Sequence, residues 1–562
     1  MRDWQAIAAT DYDVVVIGGG INGAGTARDA ALRGLRTIVL EKNDFASGTS
    51  SWSTRLVHGG LRYLEQFEFA LVRESLHERE ILLRNAPHLV HPLLLTVPIY
   101  GERSRPYWKV WAGMILYDLF SYDKSVPIHR MLRGGALKQV ARGLDRENLN
   151  GGAQYYDAQA EYAERLCLEN IFAARDAGAT VCNYTTVTGL ERSGNRISQV
   201  QCQDQFTGET FSVPLAANGM VINTAGPWVD KVLGRVSDGF SCDRQIGGTK
   251  GSHIIVDYFP GMPETAFYVE AKSDKRPFFI VPWLGQVLIG TTDLIFEGDL
   301  DHLKADNDEI DYLLNETNSI IPTANLSRAD IKFTYSGVRP LPYTPQETGK
   351  NKSAGAFTRK HILRDHATEG VQNLVSLIGG KLTTYRHVGE EMVDWVFQKR
   401  GQTPPPCPTL TTPLPGCISA TDPRIQAATR QYASLLSRET VSHLFTLYGS
   451  QAQQVLALVD ETTELAKLIS PNLPDIKAQI VYAAQQELAE TYLDITRRRT
   501  TIAMQDHYGL DALPVLAEVL QKYCGWTRER CDRNRTDYYE FMRNNCIPDF
   551  QLGAIEEPLA VA

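Results

Sequence analysis

The chain has 562 residues. That is too many for one hydrophobic core, and two or three domains are expected. Hydrophobic residues at 43% and charged residues at 22% exclude a disordered or fibrous protein, and a net charge of −9 excludes a general nucleic-acid binder.

The nine cysteines are scattered and form no C-x-x-C. Neither a disulfide framework nor a metal site is expected, and the thiols read as those of a reduced, cytoplasmic chain. Met1 to Thr10 shows no signal-peptide pattern. No apolar run reaches the ~18 residues of a spanning helix, so contact with a membrane would be peripheral.

The organising stretch runs from Asp13 to Arg62. Val14 to Ile17 reads as a buried strand. Gly18, Gly20 and Gly23 follow in the spacing G-x-G-x-x-G, then a small-residue helix from Ala24 to Arg33 with Gly34 at its stop. A second strand, Thr37 to Leu40, ends at Glu41. This is a βαβ unit carrying the dinucleotide fingerprint in its proper context. The glycines permit a tight turn, approach of a pyrophosphate and close helix–strand packing. The helix N-terminus offers free N–H groups and a positive dipole end. Glu41 can accept from ribose hydroxyls. A polar, glycine-bearing segment follows, with Ser47 to Ser51 and His58 to Arg62. It suits an extended FAD better than NAD.

Phe67 to Arg84 reads as an amphipathic helix, and Leu93 to Ile99 as a short strand. Arg105 to Phe120 carries Tyr107, Trp108, Trp111, Tyr117 and Phe120. An aromatic helix of this kind either packs on its own core, which is the expectation here, or lies at a bilayer interface. Asp157 to Ala177 is a further helix. Val221 to Trp228 is a strand entering a small-residue turn. Strand patterns dominate Gly251 to Pro340, and Asn373 to Ile378 runs into Gly379-Gly380-Lys381 at a helix start. Gln402 to Gly416 is a proline-rich linker, and the chain beyond it is helical. There Arg497-Arg498-Arg499 is expected to be a solvated face, with a contact on the catalytic domain or on lipid as the alternative.

The motifs IGGGINGAG, LEKNDFASGTSSWSTRLVHGGLRYLE, KGSHIIV, GTTD, YSGVRPL and GGKLTTYR occur in this order. The set resembles the FAD-dependent, aerobic respiratory glycerol-3-phosphate dehydrogenases over Asp13 to about Arg386. The resemblance implies an α/β (α+β) chain. Its split Rossmann-like FAD domain, of the D-amino-acid-oxidase and glycine-oxidase type, would span 11–90, 150–235 and 355–400. An inserted antiparallel substrate sheet would span 91–149 and 236–354, and a helical C-terminal domain 401–562.

The same resemblance implies that Gly18, Gly20, Asn22, Gly23 and Glu41 hold the ADP half of a noncovalent FAD. Thr49, Ser50 and Ser51 would reach the pyrophosphate and ribityl chain, and His58 and Gly59 the isoalloxazine. Val187 would lie near adenine, Ala225 and Gly226 near the phosphates, and Gly380 and Lys381 at the flavin N1 side. Arg62, Tyr63, Arg359, Lys381 and Thr384 would bind the phosphate of glycerol 3-phosphate. Arg339 would stabilise charge at the C2 oxygen and His253 would accept the proton, giving dihydroxyacetone phosphate. A quinone acceptor, a peripheral site on the inner face of a membrane and a homodimer are family expectations. Three alternatives stand beside this reading: an O2-using glycerol-3-phosphate oxidase, an amino-acid oxidase, and a non-catalytic flavin scaffold or sensor. The short connection from Pro340 to Thr358 disfavours the first. The cationic and histidine residues disfavour the last.

Overall fold

Two sheets organise the chain. The computed structural model describes residues 3–101, 105–237, 239–262, 264–344, 360–505, 507–553 and 555. In the first sheet the order is Ile362–Asp365, Leu374–Ile378, Thr210–Asn223, Tyr12–Ile17, Thr37–Leu40 and Thr180–Cys182. Along this order every pairing after the first is parallel. Every residue of Tyr12–Ile17 is buried, as a central parallel strand covered on both faces requires. Helix Ile21–Leu32 lies on this sheet with ten buried residues, most of them Gly, Ala or Thr. Small side chains let it pack against helices Ala163–Asp176 and Tyr385–Lys399 at once.

The second sheet has ten strands. Thr249–Val256 runs antiparallel to both Gln286–Gly290 and Ile331–Arg339. The sheet continues through Pro277–Trp283, Ala266–Glu270, Val90–Tyr100 and Leu149–Ala160, and all its pairings are antiparallel except Ala266–Glu270 with Val90–Tyr100. Leu149–Ala160 therefore belongs to this sheet rather than to the first. The chain after the proline-rich linker is a stack of helices from Pro423 to Asn545.

Two expectations are reversed. Helix Tyr107–Phe120 does not pack its aromatic stripe inward: among its residues only Met114 and Tyr117 are buried. Trp108 is 68% exposed and Leu119 65%, with Trp111 and Ile115 on the same outer face. Phe69 stacks on Phe120 at 5.6 Å and meets Phe67 edge to face at 6.0 Å, which extends this apolar surface. An aromatic stripe has the same period whether core or lipid covers it, so periodicity could not decide.

Arg497, Arg498 and Arg499 are not solvated. All three are buried, on a short helical turn at Ile495–Arg499. Arg498 and Arg499 both bind the buried carboxylate of Asp44, in the segment that follows Glu41. Burial alone would raise the Asp44 pKa, but the two guanidiniums, Arg499 foremost, hold it below the usual carboxylate value. Arg497 binds Glu164 at 2.8 Å, and Arg55 binds the same carboxylate at 2.6 Å. Arg165 and Glu487 form a third buried pair at 2.6 Å.

Removing one partner of a buried ion pair strands its counter-charge. Asp44→Asn is expected to destabilise the junction by about 3–5 kcal/mol, read as a lower midpoint and an earlier, separate C-terminal transition in calorimetry. An unchanged thermogram would show that the pairs do not hold the domains together.

Candidate active site

A cavity of about 1070 Å³ runs between the two sheets and under the C-terminal helices. Its first end is built by the βαβ unit. Gly18, Gly20, Asn22 and Glu41 line it. Gly23 stands behind this wall: a Cβ there would lie 1.9 Å from the Gly18 carbonyl oxygen, so only glycine lets the helix start so close to the strand. The Glu41 carboxylate accepts from Gly19 N at 2.7 Å and Asn43 N at 2.9 Å. Val187, Ala225 and Gly226 complete this end, with Trp228 beside Lys42.

In the middle, Thr49 donates to the Val338 carbonyl at 2.7 Å and Ser50 accepts from Ile21 N at 2.9 Å. Both line the cavity. Ser51 lies behind the wall, buried and donating to the Ala46 carbonyl at 2.6 Å. Thr491, Leu493, Arg498, Asn534 and Phe541 close this stretch from the C-terminal domain.

The far end gathers the ionisable residues. His58, Arg62, Tyr63, His253, Arg339, Gly380 and Lys381 all line it. Lys381 Nζ lies 4.3 Å from the centre of the Tyr63 ring. The Arg339 guanidinium donates to Asp293 at 3.1 Å and to Thr291 Oγ1 at 3.0 Å. Gly59 is buried and its amide donates to the Tyr117 hydroxyl at 3.0 Å. Thr384 is buried at the start of helix Tyr385–Lys399, while its neighbour Thr383 reaches the wall beside His58. Arg359 lies outside the described residues.

His253 sits on strand Thr249–Val256, 1% exposed, with its ring stacked on Tyr335 at 4.6 Å. The ring fills the space that a Cβ on Gly290 would need. Its Nε2 meets Thr54 Oγ1 at 2.9 Å. Its Nδ1 is buried and has no hydrogen-bond partner among the described residues. Burial, then the charges of Arg339 and Arg55, push its pKa well below the ordinary imidazole value. The ring is therefore neutral at physiological pH.

Thr54 is a residue that reading the sequence missed. It lies in a run of serines and threonines with no period, and its partner is 199 positions away. Nδ1 is closed off from solvent, so the ring nitrogen with a polar neighbour is Nε2, and that neighbour, Thr54, lines the cavity beside His253.

The residues present fit FAD. Helix Ile21–Leu32 starts on the cavity lining, at Gly20, Ile21 and Asn22, which presents a helix N-terminus to a phosphate. Asn22 Oδ1 is a buried acceptor with no partner among the described residues, as a cofactor hydroxyl would require. Gly380, left-handed at φ 90°, leaves room beside Asn22 that a Cβ would close.

Comparison with known proteins agrees. Residues 13–395 match the family of FAD dependent oxidoreductases, and residues 407–531 match the C-terminal domain of alpha-glycerophosphate oxidase. The chain is 57% identical to a glycerol-3-phosphate dehydrogenase of Synechocystis sp., over 98% of this chain and 100% of that protein. It is 38% identical to the D-erythritol 1-phosphate dehydrogenase of Brucella abortus, over 87% and 94% respectively. The solved glycerol-3-phosphate dehydrogenase of Bacillus halodurans complexed with FAD superposes with a TM-score of 0.76, 30% identity and 96% coverage of each chain. Sequence motifs, cradle and relatives converge on one assignment: the cofactor is FAD, and the chain belongs to the FAD-dependent glycerol-3-phosphate dehydrogenase family.

Proposed function

We propose that the protein oxidises sn-glycerol 3-phosphate at C2 to dihydroxyacetone phosphate and passes the electrons to a membrane quinone. The observation that carries the reading is the far end of the cavity, where Arg62, Lys381 and Arg339 line one wall system with a neutral His253. A phosphate dianion calls for such cations, and a secondary alcohol calls for a base.

Bound FAD supplies the hydride acceptor for the C2 hydrogen. Arg62 and Lys381 hold the phosphate, with Arg359 assigned to the same group by resemblance. The Tyr63 ring under Lys381 holds the ammonium in place. Arg339 is kept in one orientation by Asp293 and Thr291 and polarises the C2 oxygen. Thr54 Oγ1 takes the hydroxyl proton and gives its own to His253 Nε2. The imidazolium so formed is unstable in this buried, cationic setting, so it returns its proton to solvent quickly.

Membrane attachment is assigned to the outer face of helix Tyr107–Phe120. Trp108, Trp111, Ile115 and Leu119 form its exposed apolar stripe, and exposed Arg130, Arg133 and Lys138 follow it in the chain. Exposed aromatic rings on a helix face suit the headgroup region of a bilayer. No described helix is long and apolar enough to cross a membrane.

Anaerobic mixing with sn-glycerol 3-phosphate is expected to bleach the flavin band of wild-type protein. His253→Asn is expected to slow bleaching ~10²- to 10⁴-fold, with FAD content unchanged. Absence of bleaching by sn-glycerol 3-phosphate, with bleaching by D-erythritol 1-phosphate, would move the substrate to longer polyol phosphates. Fast recovery in air with peroxide, rather than with a quinone analogue, would make the protein an oxidase.

Trp108→Glu/Trp111→Glu is expected to weaken co-sedimentation with anionic phospholipid vesicles by roughly tenfold or more, since each tryptophan loses its apolar burial. Equal binding of the variant and the wild type would remove this face from the membrane contact.

A further inference from the structure

The proton acceptor does not stand alone. Five consecutive residues, Ser51 to Arg55, connect it to the C-terminal domain. Thr54 Oγ1 meets His253 Nε2, and the Ser53 carbonyl accepts from the Tyr335 hydroxyl at 2.8 Å. Tyr335 is the ring on which His253 stacks. The backbone at Arg55 is left-handed, with φ 60°, a conformation that a side chain disfavours and that surrounding contacts must hold.

Those contacts come from one buried triad. Glu164 accepts from Arg55 at 2.6 and 2.7 Å and from Arg497 at 2.8 Å. The Ser51 carbonyl accepts from Arg497 at 3.2 Å and from Arg55 at 3.4 Å. The Arg497 guanidinium also lies over the Trp52 ring at 4.6 Å. Arg497 therefore touches the first two residues of the segment and the carboxylate that fixes the last.

We propose that Arg497 of the C-terminal domain is a positioning residue for the proton transfer: it clamps Ser51–Arg55 so that Thr54 presents its hydroxyl to His253 Nε2. It touches neither substrate nor cofactor. The inference rests on the reading of His253 as the proton acceptor, and it adds a task for the C-terminal domain within that reaction.

The charges around His253 fix the sign of its effect. The groups that face the ring and its support are Arg339 with Asp293, Arg55 with Glu164, Arg497, and the Tyr335 hydroxyl. Two cations share the Glu164 carboxylate, and the triad carries a net positive charge. Removing Arg497 leaves Glu164 to neutralise Arg55 and loosens the segment that keeps water from the ring. Both changes let the imidazole hold a proton more readily.

The test compares wild-type holoenzyme with Arg497→Met and Arg497→Lys. Lysine keeps the charge but lacks the fork that reaches Ser51 and Glu164 together. The first readout needs no substrate: histidine-selective 15N NMR over pH, with the His253 signal assigned through His253→Asn. Titration is expected to move up by about one pH unit in Arg497→Met, which loses both charge and clamp, and in the same direction by less in Arg497→Lys, which loses the clamp alone. The second readout is anaerobic flavin reduction. Both variants are expected to lose ~10- to 100-fold in the reduction rate at saturating substrate, with half-saturation changed little, because the phosphate-binding cations are untouched. The acid limb of the pH profile is expected to move in the same direction as the NMR titration. If Arg497→Met does not fold, Arg497→Lys carries the test. A folded variant with a lower Tm but an unchanged His253 titration and reduction rate would overturn the proposal and leave Arg497 a structural clasp. A shifted titration in a protein whose wild type is not bleached by sn-glycerol 3-phosphate would retain the clamp and overturn the substrate reading instead.

Discussion

The structure depends on buried ion pairs between the C-terminal and FAD domains: Arg497, Arg498 and Arg499 reach Glu164 and Asp44, and Arg165 of the FAD domain reaches Glu487. Asp44, Glu164 and Glu487 are each buried, and each is met by at least one buried arginine. Taking such ions from water is expensive, and only close, multiply hydrogen-bonded partners offset it. The consequence is directional. Neither domain can leave the other without exposing or stranding several charges at once, so the C-terminal helices are a fixed wall of the cavity rather than an appendage. Arg498 lines the cavity and binds Asp44, and Asp44 lies three positions after Glu41. The clasp and the nucleotide cradle are built on the same loop.

The same economy of charge shapes the far end of the cavity. Burial disfavours a protonated His253, and the nearby cations Arg339 and Arg55 repel it further. Arg339 thus serves two purposes. It is aimed by Asp293 and Thr291, and its field helps keep His253 unprotonated. Asp293 tempers the local positive charge, so the site is electropositive without being unpaired.

What the sequence discloses follows from how local the physics is. The βαβ unit is legible because its strand, glycines, helix and acid are contiguous, and each residue type has a reason at its own position. The second sheet is legible as strands from Gly251 to Pro340, but its pairing of Val90–Tyr100 with Leu149–Ala160 is not, because nothing in the intervening segment marks the partner. Arg497 to Arg499 look like a solvated cluster because Glu164 and Asp44, the FAD-domain carboxylates they bind, are more than 300 positions away. Thr54 is invisible for the same reason. Helix Tyr107–Phe120 is the converse case. Its pattern is clear, and what it fails to encode is the medium that covers the aromatic face.

That helix also shows why its two faces cannot be considered apart. Its inner side carries Tyr117, whose hydroxyl donates to Asp157 at 2.8 Å and accepts from the Gly59 amide at 3.0 Å. Arg79 closes the network on Asp157 at 2.8 Å. Gly59 lies between His58 and Gly60, both on the cavity wall. A single helical turn therefore separates side chains exposed to the surroundings from the backbone at the reactive end of the cavity. Burial stiffens the inner contacts: the Tyr117 hydroxyl is held protonated by burial and by the adjacent Asp157 charge, so it remains a donor at any physiological pH. The outer face has no such internal partner. The geometry brings an exposed apolar surface within one hydrogen-bonded layer of the cavity wall.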